Sequence, residues 1–398
     1  MAGDRITVGV VGAGAMGSGI AQVAASAGHH VVLGDVNAAA VEKARASITK
    51  SLDRDVEKGR VARDGADATL ARITAAGALS DGYASYAGCG LVIEAVLEDL
   101  AVKRALFAAL ESVVSDACIL ATNTSSLSVA AIAGGCARDG RVVGIHFFNP
   151  ATVMPLVEIV PAITTSPDTV AAARDLIQAW RKVPVVTTDT PGFIVNRIAR
   201  PFYGESLRIL EEGIADAATI DWAMREIGGF RMGPFELMDF IGHDVNFAVT
   251  SSVFEAFFFD PRYRPSLTQR RLVDAGLYGR KRGRGFYDYA DGAAKPAPVE
   301  DAALGRAIVD RVLAMLVNEA VDALYLRVAS PADIETSMTK GVNYPKGLLA
   351  WGDEIGAAEV LRRLEALQAD YGDDRYRPSV LLRRRARDGQ SLLSPVTP

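Results

Sequence analysis

The chain has 398 residues, 49% of them hydrophobic and 23% charged, which is typical of a folded globular protein and excludes a disordered or fibrous one. At roughly 150 residues per domain, this length indicates two or three domains. Lys and Arg number 43 against 48 Asp and Glu, and the resulting net charge of −5 disfavours general nucleic-acid binding. The three cysteines lack CxxC spacing, which argues against a disulfide framework or a zinc cluster and predicts small thiols in a reducing compartment, at Cys89, Cys118 and Cys136.

Residues 6–34 form a long uncharged stretch, which contains no Asp, Glu, Lys or Arg. A hydropathy window would flag such a stretch as a signal peptide or a membrane span. Six glycines interrupt it, however, and a buried strand followed by a glycine-rich turn and a helix explains it better. We therefore expect a cytoplasmic protein without a membrane partner.

The first half of the chain alternates apolar runs with helical patterns. Residues 6–11 predict a buried parallel strand, a glycine turn leads into a helix ending near Gly28, and a second strand at 31–33 closes at Asp35. An amphipathic helix follows over 37–58. Later helical and strand-like runs are expected at 91–93, 102–113, 118–121, 142–148, 156–160 and 183–186. This alternation predicts an α/β, doubly wound, Rossmann-type domain over residues 1–189.

The pattern becomes helical after Asp189. Thr190 and Pro191 predict the N-cap and first position of a helix that continues through Glu212, and residues 291–299 resemble a linker. Five positions of this half recur 114 residues later: Val195, Arg197, Glu205, Ile220 and Met224 become Val309, Arg311, Glu319, Ile334 and Met338. We therefore expect two tandem all-α domains, at 190–290 and 300–398.

The glycine turn predicts a dinucleotide site. A GxGxxG motif is informative only between a strand and a helix, which is its setting here. Gly12 permits the tight turn, Gly14 lets the backbone approach a pyrophosphate, and Gly17 lets helix and strand pack closely. Asp35, at the end of the second strand, would accept hydrogen bonds from a ribose diol and repel a 2′-phosphate. NAD is thus favoured over NADP, and FAD stays open at this point.

His146 and Glu158 form the candidate acid–base pair. His146 ends an apolar strand, where α/β folds place their ligand clefts, and Glu158 lies twelve residues on in the next strand-like run. A carboxylate on one imidazole nitrogen would stabilise the charge that forms when the other takes a proton. From spacing alone, a structural histidine beside an unrelated glutamate is equally compatible. His29 and His30 are expected in a surface turn and His243 in a structural role.

Two polar motifs complete the candidate site. The run Thr122–Ser126 follows a strand and would face the same cleft, although serine and threonine also favour helix caps. Asn196 falls on an otherwise apolar helix start, where an interhelical hydrogen bond is the alternative.

These motifs together resemble one family. The glycine turn with Met16, NTSS at 123–126, HFFNP at 146–150, Glu158, TPGFIVNR at 190–197, MGPFE at 232–236 and RGRGFYDY at 282–289 resemble the (S)-3-hydroxyacyl-CoA dehydrogenases over residues 5–290. Residues 341–347 and 351–353 are similar to the extra C-terminal domain of longer bacterial members linked to phenylacetate and butanoyl-type metabolism. The helical domains would then be of the 6-phosphogluconate-dehydrogenase C-terminal-like type.

The resemblance assigns roles to individual residues. The catalytic group would be His146 as base, Glu158 as its partner, and Ser125 and Asn196 holding the substrate. Cofactor contacts would come from Gly12, Gly14, Ala15, Met16, Gly17, Asp35, Glu98, Lys103, Asn123, Ser125, Asn149 and Lys281. Coenzyme A would contact Ser51, Lys58 and Ser125, and a cation at Lys58 would attract its phosphates. No metal is required.

The implied reaction is the NAD-dependent oxidation of an (S)-3-hydroxyacyl-CoA to the 3-oxoacyl-CoA. Asp310 stands in the second helical copy where the first has Asn196, so we expect one active site per chain and either a homodimer or a pseudo-dimeric monomer. A dicarboxylic acyl group would require a cation beyond the reacting carbon, for which Arg200 and Arg231 are candidates.

Three alternatives remain at this stage. One is a β-hydroxyacid dehydrogenase acting on free acids, and another is a crystallin-like structural relative that binds NAD without catalysis. The third is nucleic-acid binding through the basic run at 383–387, although such a run near a terminus is usually a solvated face.

Overall fold

A computed structural model describes residues 5–76, 79 and 82–396 of the chain. These residues form two compact units that divide between residues 190 and 191. Among the described residues, no helix has both the length and the apolar character needed to cross a bilayer.

The first unit is built on one eight-stranded sheet with strand order β3-β2-β1-β4-β5-β6-β7-β8. Neighbouring strands are parallel except for β6 and β7, which pair antiparallel. The chain reverses direction across the sheet between β1 and β4, the switch point at which such sheets bind ligands. The strands are β1 Thr7–Val11, β2 His30–Gly34, β3 Ile73–Ala75, β4 Leu91–Glu94, β5 Ile119–Thr122, β6 Val142–Phe147, β7 Leu156–Pro161 and β8 Val183–Val186.

The helices of this unit pack on the sheet through apolar side chains, and Ile20 of the first helix, Val10 of β1 and Ile145 of β6 belong to one buried core. Asn37, Asp99, Ser128 and Ser166 each cap a helix by accepting a hydrogen bond from a backbone N–H of its first turn. The helices are α1 Ala15–Ser26, α2 Ala38–Glu57, α3 Arg63–Ala71, α4 Leu100–Glu111, α5 Val129–Ala133 and α6 Pro167–Ala179.

The predicted doubly wound fold is confirmed, and three details differ from the prediction. The sequence analysis missed β3 and α3, which are short and carry few buried apolar positions. The sheet is mixed, because β7 returns antiparallel to β6 without a crossover helix. The surface position expected for His29 is wrong: it is 6% exposed, its ring lies 5.7 Å from that of Trp180, and its Nδ1 accepts a hydrogen bond from the Ile6 amide.

The second unit is helical, and its first helix begins later than predicted. Residues 191–194 form a turn, because Gly192 and Phe193 adopt positive φ angles of 73° and 49°. Residues 291–299 lack regular structure, as the linker-like composition indicated. The helices are α7 Val195–Ile198, α8 Arg200–Glu211, α9 Ala217–Trp222, α10 Pro234–Ile241, α11 His243–Ala256, α12 Leu267–Asp274, α13 Ala302–Tyr325, α14 Pro331–Gly341, α15 Leu348–Ile355, α16 Ala357–Tyr371 and α17 Val380–Asp388.

The same local hydrogen bonds occur twice in this unit, 114 residues apart. The Asp221 carboxylate accepts the backbone amides of Phe235 and Glu236 at the start of α10. Glu335 accepts the amides of the two equivalent residues, 349 and 350, at the start of α15. Both carboxylates therefore cap the start of a helix that follows a loop.

Buried ion pairs are exchanged between the two repeated segments. Arg197 Nε lies 2.7 Å from Glu319 Oε1, and the equivalent Arg311 Nε lies 2.6 Å from Glu205 Oε1. The two residues of one pair are thus the repeat equivalents of the two residues of the other pair, which is the signature of a two-fold, self-complementary interface.

Candidate active site

The candidate site lies at the carboxyl edge of the parallel strands. The glycine turn follows β1, Asp35 follows β2, and Glu98 comes shortly after β4. Residues 123–126 follow β5, and His146 lies near the end of β6. Because parallel strands all end at the same edge, residues spread over 135 positions of sequence converge there.

The glycine turn has the geometry of a phosphate cradle. Gly12 has a φ of +106°, and a Cβ built on it would lie 2.4 Å from the Ala95 carbonyl oxygen. A Cβ on Gly17 would lie 1.7 Å from the Gly12 carbonyl oxygen, so helix α1 approaches β1 closely only because Gly17 lacks a side chain. Gly14 differs, since a Cβ there would meet nothing within 4 Å. Its small size is therefore not required by the protein's own packing.

The start of α1 is suited to an anion. Gly14 is the N-cap and offers no side chain to the first-turn N–H groups, while Gly14 and Ala15 are exposed and Met16 is partly exposed. Unpaired backbone N–H groups at a helix N-terminus attract phosphate. The open space at Gly14 leaves room for it, so these residues fit a dinucleotide pyrophosphate.

Asp35 is held beside this turn. Its Oδ2 accepts a 2.8 Å hydrogen bond from the Ala13 amide, and its Oδ1 accepts one of 3.0 Å from the Asn37 amide. Each carboxylate oxygen has a further lone pair, and the residue is partly exposed. The carboxylate can therefore accept hydrogen bonds from a ribose diol, which fits NAD.

A buried network of charged side chains lies near the end of β4. Lys103 is 1% exposed, and its Nζ lies 2.6 Å from Glu94 Oε1 and 3.1 Å from Glu98 Oε2. Glu94 also accepts a 2.7 Å hydrogen bond from the Thr122 hydroxyl. The ammonium group of Lys103 thus lies between two carboxylates, and its contact with the cofactor stays a prediction. The sequence analysis missed Glu94, whose signal was a charged residue ending an otherwise apolar run.

Glu98 anchors the polar loop after β5. Its Oε1 accepts hydrogen bonds from the Thr124 hydroxyl at 2.5 Å, the Ser125 amide at 3.1 Å and the Ser126 hydroxyl at 3.1 Å. Burial alone would raise the pKa of the Glu98 carboxyl, but the Lys103 charge and these hydrogen bonds outweigh burial and lower that pKa. A carboxylate that stays ionised therefore fixes the position of Ser125, which is partly exposed.

His146 and Glu158 are brought together by strand register. They are directly opposite in the antiparallel β6–β7 pair, and opposite residues of such a pair project from the same face of the sheet. His146 Nδ1 lies 2.7 Å from Glu158 Oε2, with the two residues 5% and 0% exposed. A carboxylate only accepts hydrogen bonds, so Nδ1 carries the proton and Nε2 is the basic nitrogen of the neutral ring.

The two asparagines of this edge have different surroundings. Asn123 Oδ1 accepts a 2.8 Å hydrogen bond from the Phe147 amide and so links the β5 loop to the residue after His146. Asn149 is exposed in the loop that follows β6. The centre of the Phe148 ring lies 4.6 Å from the centre of the His146 ring.

The residues predicted to contact coenzyme A lie on one helix. Ser51 is partly exposed in α2, and Lys58 is the exposed C-cap residue of that helix. Seven residues correspond to two helical turns, so both residues fall on one face of the helix.

The remaining predicted residues belong to the second unit. Asn196 lies partly exposed in α7. Lys281 is half-exposed, and its Nζ donates a 2.7 Å hydrogen bond to Asp244. His243 is fully buried with its Nε2 2.7 Å from Asp239 Oδ1, in a cluster of hydrogen bonds within this unit.

Comparison with protein families identifies both units. A model of the 3-hydroxyacyl-CoA dehydrogenase NAD-binding domain matches residues 7–190. The model of the 3-hydroxyacyl-CoA dehydrogenase C-terminal domain matches residues 192–289 and 308–392.

Individual relatives agree with these matches. The chain is 40% identical to the 3-hydroxyadipyl-CoA dehydrogenase of Escherichia coli, over 96% of this chain and 97% of that protein. It is 42% identical to the 3-hydroxybutyryl-CoA dehydrogenase of Bradyrhizobium diazoefficiens, over 73% of this chain and 97% of the relative. Among solved structures, the 3-hydroxybutyryl-CoA dehydrogenase of Escherichia coli K12 has a TM-score of 0.89 at 39% identity, covering 96% of this chain and 98% of the other.

Proposed function

The chain belongs to the 3-hydroxyacyl-CoA dehydrogenase family of NAD-dependent oxidoreductases, and from this premise we propose that it oxidises (S)-3-hydroxyacyl-CoA to 3-oxoacyl-CoA through a His146–Glu158 pair. The observation that carries this assignment is the 2.7 Å contact between Nδ1 of the imidazole and the carboxylate. Both groups lie on the sheet whose carboxyl edge also bears the dinucleotide cradle.

In this proposal His146 is the general base. Its Nε2 removes the proton of the C3 hydroxyl, and the Glu158 carboxylate stabilises the imidazolium that forms. The glycine turn and Asp35 would hold NAD, which would supply the acceptor for the hydride from C3. Nδ1 keeps its proton throughout, because its carboxylate neighbour holds the ring in one tautomer.

Positioning comes from the residues around the base. The Ser125 hydroxyl would hydrogen-bond to the substrate oxygen, and Glu98 fixes its backbone through the hydrogen bond to the amide. The roles of Asn196 in holding the substrate and of Lys281 beside the cofactor rest on the family resemblance. So do those of Ser51 and Lys58 at coenzyme A, where the lysine charge would attract phosphate.

The decisive experiment replaces His146 by glutamine and follows NADH formation with 3-hydroxybutyryl-CoA. General base catalysis typically contributes about 10²–10⁴-fold, and we expect kcat to fall by that factor while NAD affinity is retained. His30→Gln is the matched control, since His30 is exposed at the opposite, amino-terminal end of β2.

Several outcomes would contradict the proposal. A His146→Gln variant with nearly full activity would remove this histidine from the mechanism. Oxidation of free hydroxy acids in preference to their CoA thioesters would favour the other β-hydroxyacid dehydrogenases. NAD binding without oxidation of any acyl-CoA would favour a non-catalytic, crystallin-like role.

We also propose that the second helical copy is structural and takes the place of a partner subunit. The exchanged pairs of Arg197 with Glu319 and Arg311 with Glu205 support this, because they satisfy a two-fold interface within one chain. A native mass equal to one chain is expected for a cytoplasmic, pseudo-dimeric monomer. A native dimer paired through the first copy would contradict it.

A further inference from the structure

The two helical copies differ at the start of one repeated helix. The sequence Arg-Pro-Ser occurs at residues 264–266 and again at 377–379, and each serine is the N-cap of the helix that follows, α12 or α17. In the first copy the Ser266 hydroxyl donates a 2.5 Å hydrogen bond to Glu211 Oε1. The same carboxylate oxygen accepts the Thr268 amide at 3.3 Å. A carboxylate is therefore bound at the start of α12.

The second copy lacks this carboxylate. Glu211 is the last residue of α8, and 114 residues later Tyr325 is the last residue of α13. The Ser379 side chain does not cap α17, and its hydroxyl has no hydrogen-bond partner among the residues that the structure describes, although the residue is only 1% exposed. A buried hydroxyl without a partner is costly. The start of α17 therefore keeps the donors of the first copy without their acceptor.

A pocket of about 280 Å³ lies at this helix start. Its lining includes Ser379, Val380 and Tyr325 of the second copy together with Phe257 and Arg262 of the first. Val380 is exposed, and both aromatic residues are partly exposed, so the pocket is open to solvent. The aromatic rings and the valine give the pocket an apolar wall beside its polar groups.

Arg262 brings a second unpartnered donor to the pocket. The residue is 8% exposed, its Nη1 lies 2.9 Å from Asp322 Oδ2, and its Nη2 donates a 3.3 Å hydrogen bond to the Arg377 carbonyl. Its Nε has no hydrogen-bond partner within the described part of the chain. A guanidinium N–H can only donate, and a serine hydroxyl can donate as well. The unpartnered groups of Arg262 and Ser379 can thus both bind an oxyanion.

The charges around the pocket favour a singly charged anion. The lining also includes two carboxylates, Asp260 and Asp322, which lie 3.3 Å from Arg377 Nη2 and 3.1 Å from Arg197 Nη2. These carboxylates would repel a doubly charged phosphate more strongly than a carboxylate. A carboxylate group alone would also leave most of the pocket and its apolar wall uncovered, whereas a hydrocarbon chain would cover them.

We propose that this pocket binds a monocarboxylate with a short hydrocarbon chain, whose carboxylate takes the position at Ser379 that Glu211 has at Ser266. The carboxylate accepts hydrogen bonds from the Ser379 hydroxyl and from Arg262 Nε. The first-turn amides of α17 attract it further, since the N–H groups at a helix N-terminus have no partner within the helix. The chain lies against the apolar wall that contains Phe257. This site belongs to the second unit and is independent of the proposed oxidation.

The test is calorimetric titration of the full-length protein with hexanoate, for which we expect saturable binding. Ser379→Ala should weaken this binding at least about tenfold, because a hydrogen bond to a charged group is lost. It should not lower Tm, because the hydroxyl that it removes has no partner in the protein. Tyr325→Glu supplies the carboxylate that the first copy has, and it should abolish hexanoate binding and raise Tm.

The matched control is Ser266→Ala, the same change at the equivalent serine. It removes the hydrogen bond to Glu211 and should lower Tm while leaving the hexanoate affinity unchanged. An unchanged affinity in Ser379→Ala or in Tyr325→Glu would place the bound hexanoate elsewhere and overturn the proposal, as would the absence of saturable binding. If Tyr325→Glu does not fold, Ser379→Ala decides alone. Phosphate or acetate bound as tightly as hexanoate would overturn the proposed class of ligand.

Discussion

Replacing Glu158 by glutamine tests the mechanism through a residue expected never to touch the substrate. The side chain is fully buried, and glutamine has nearly the same shape, so the packing around it should persist. The substitution removes the negative charge that lies 2.7 Å from His146 Nδ1. A loss of activity would then measure what the negative charge of Glu158 contributes to catalysis by His146.

The size of the effect follows from that contact. A hydrogen bond to a charged group contributes about 1.5–3 kcal/mol, which corresponds to roughly 10- to 150-fold in rate if it develops in the transition state. The glutamine amide can also donate to Nδ1 and favour the tautomer whose Nε2 is already protonated. That change costs about 10⁴-fold where a catalytic histidine depends on its acidic partner. We therefore expect kcat for Glu158→Gln to fall between 10²- and 10⁴-fold.

The assay is NADH formation under saturating 3-hydroxyacyl-CoA, with NAD affinity measured separately by fluorescence. Glu300→Gln provides the same chemical change at an exposed position outside regular structure. Glu158→Asp, which keeps the charge on a shorter side chain, should retain more activity than Glu158→Gln. A Glu158→Gln variant within about threefold of wild type would refute the reasoning, as would a loss confined to NAD binding.

Three further predictions concern the cofactor cradle and stability. Gly14→Ala should leave Tm unchanged, because its new methyl group meets no protein atom, yet it should weaken NAD binding at least about tenfold. Gly12→Ala should lower the free energy of unfolding by at least about 2 kcal/mol. A destabilised Gly14→Ala together with a stable Gly12→Ala would contradict the cradle. Glu319→Gln leaves Arg197 with Asp322, at 3.1 Å, as its remaining carboxylate partner. The loss of a hydrogen bond between charged groups should lower the free energy of unfolding in urea by about 1.5–3 kcal/mol, whereas an unchanged value would mean that the pair of Arg197 and Glu319 is not buried as described. Burial raises the pKa of Asp221 from 3.8 to about 7, so the stabilisation that its protonation provides is complete below about pH 4 and lost as the pH rises to about 7. The free energy of unfolding measured across that range should therefore depend less on pH in Asp221→Asn than in the wild type. An equal dependence on pH in the two proteins would exclude Asp221 as the cause.

The sequence determined the fold class of the first unit, because period and composition are local properties. A charge-free strand, a glycine turn and an acidic residue closing the second strand together require a dinucleotide-type cradle, and the structure has each of them. The repeat of Arg197 and Glu205 as Arg311 and Glu319 was also readable along the chain. The sequence did not reveal that each arginine pairs with the glutamate of the other copy, because such contacts depend on how the helices pack against each other.

The tertiary structure alone decided the pairing of His146 with Glu158. Twelve residues of separation are compatible with many geometries, and only the antiparallel return of β7 makes the two residues opposite and on one face. Likewise, Lys103 is an ordinary helical lysine in the sequence and becomes a buried counter-ion once α4 packs beside Glu94 and Glu98. Sequence patterns record which side chains each element contributes, whereas strand register and helix packing set the distances on which charge interactions depend.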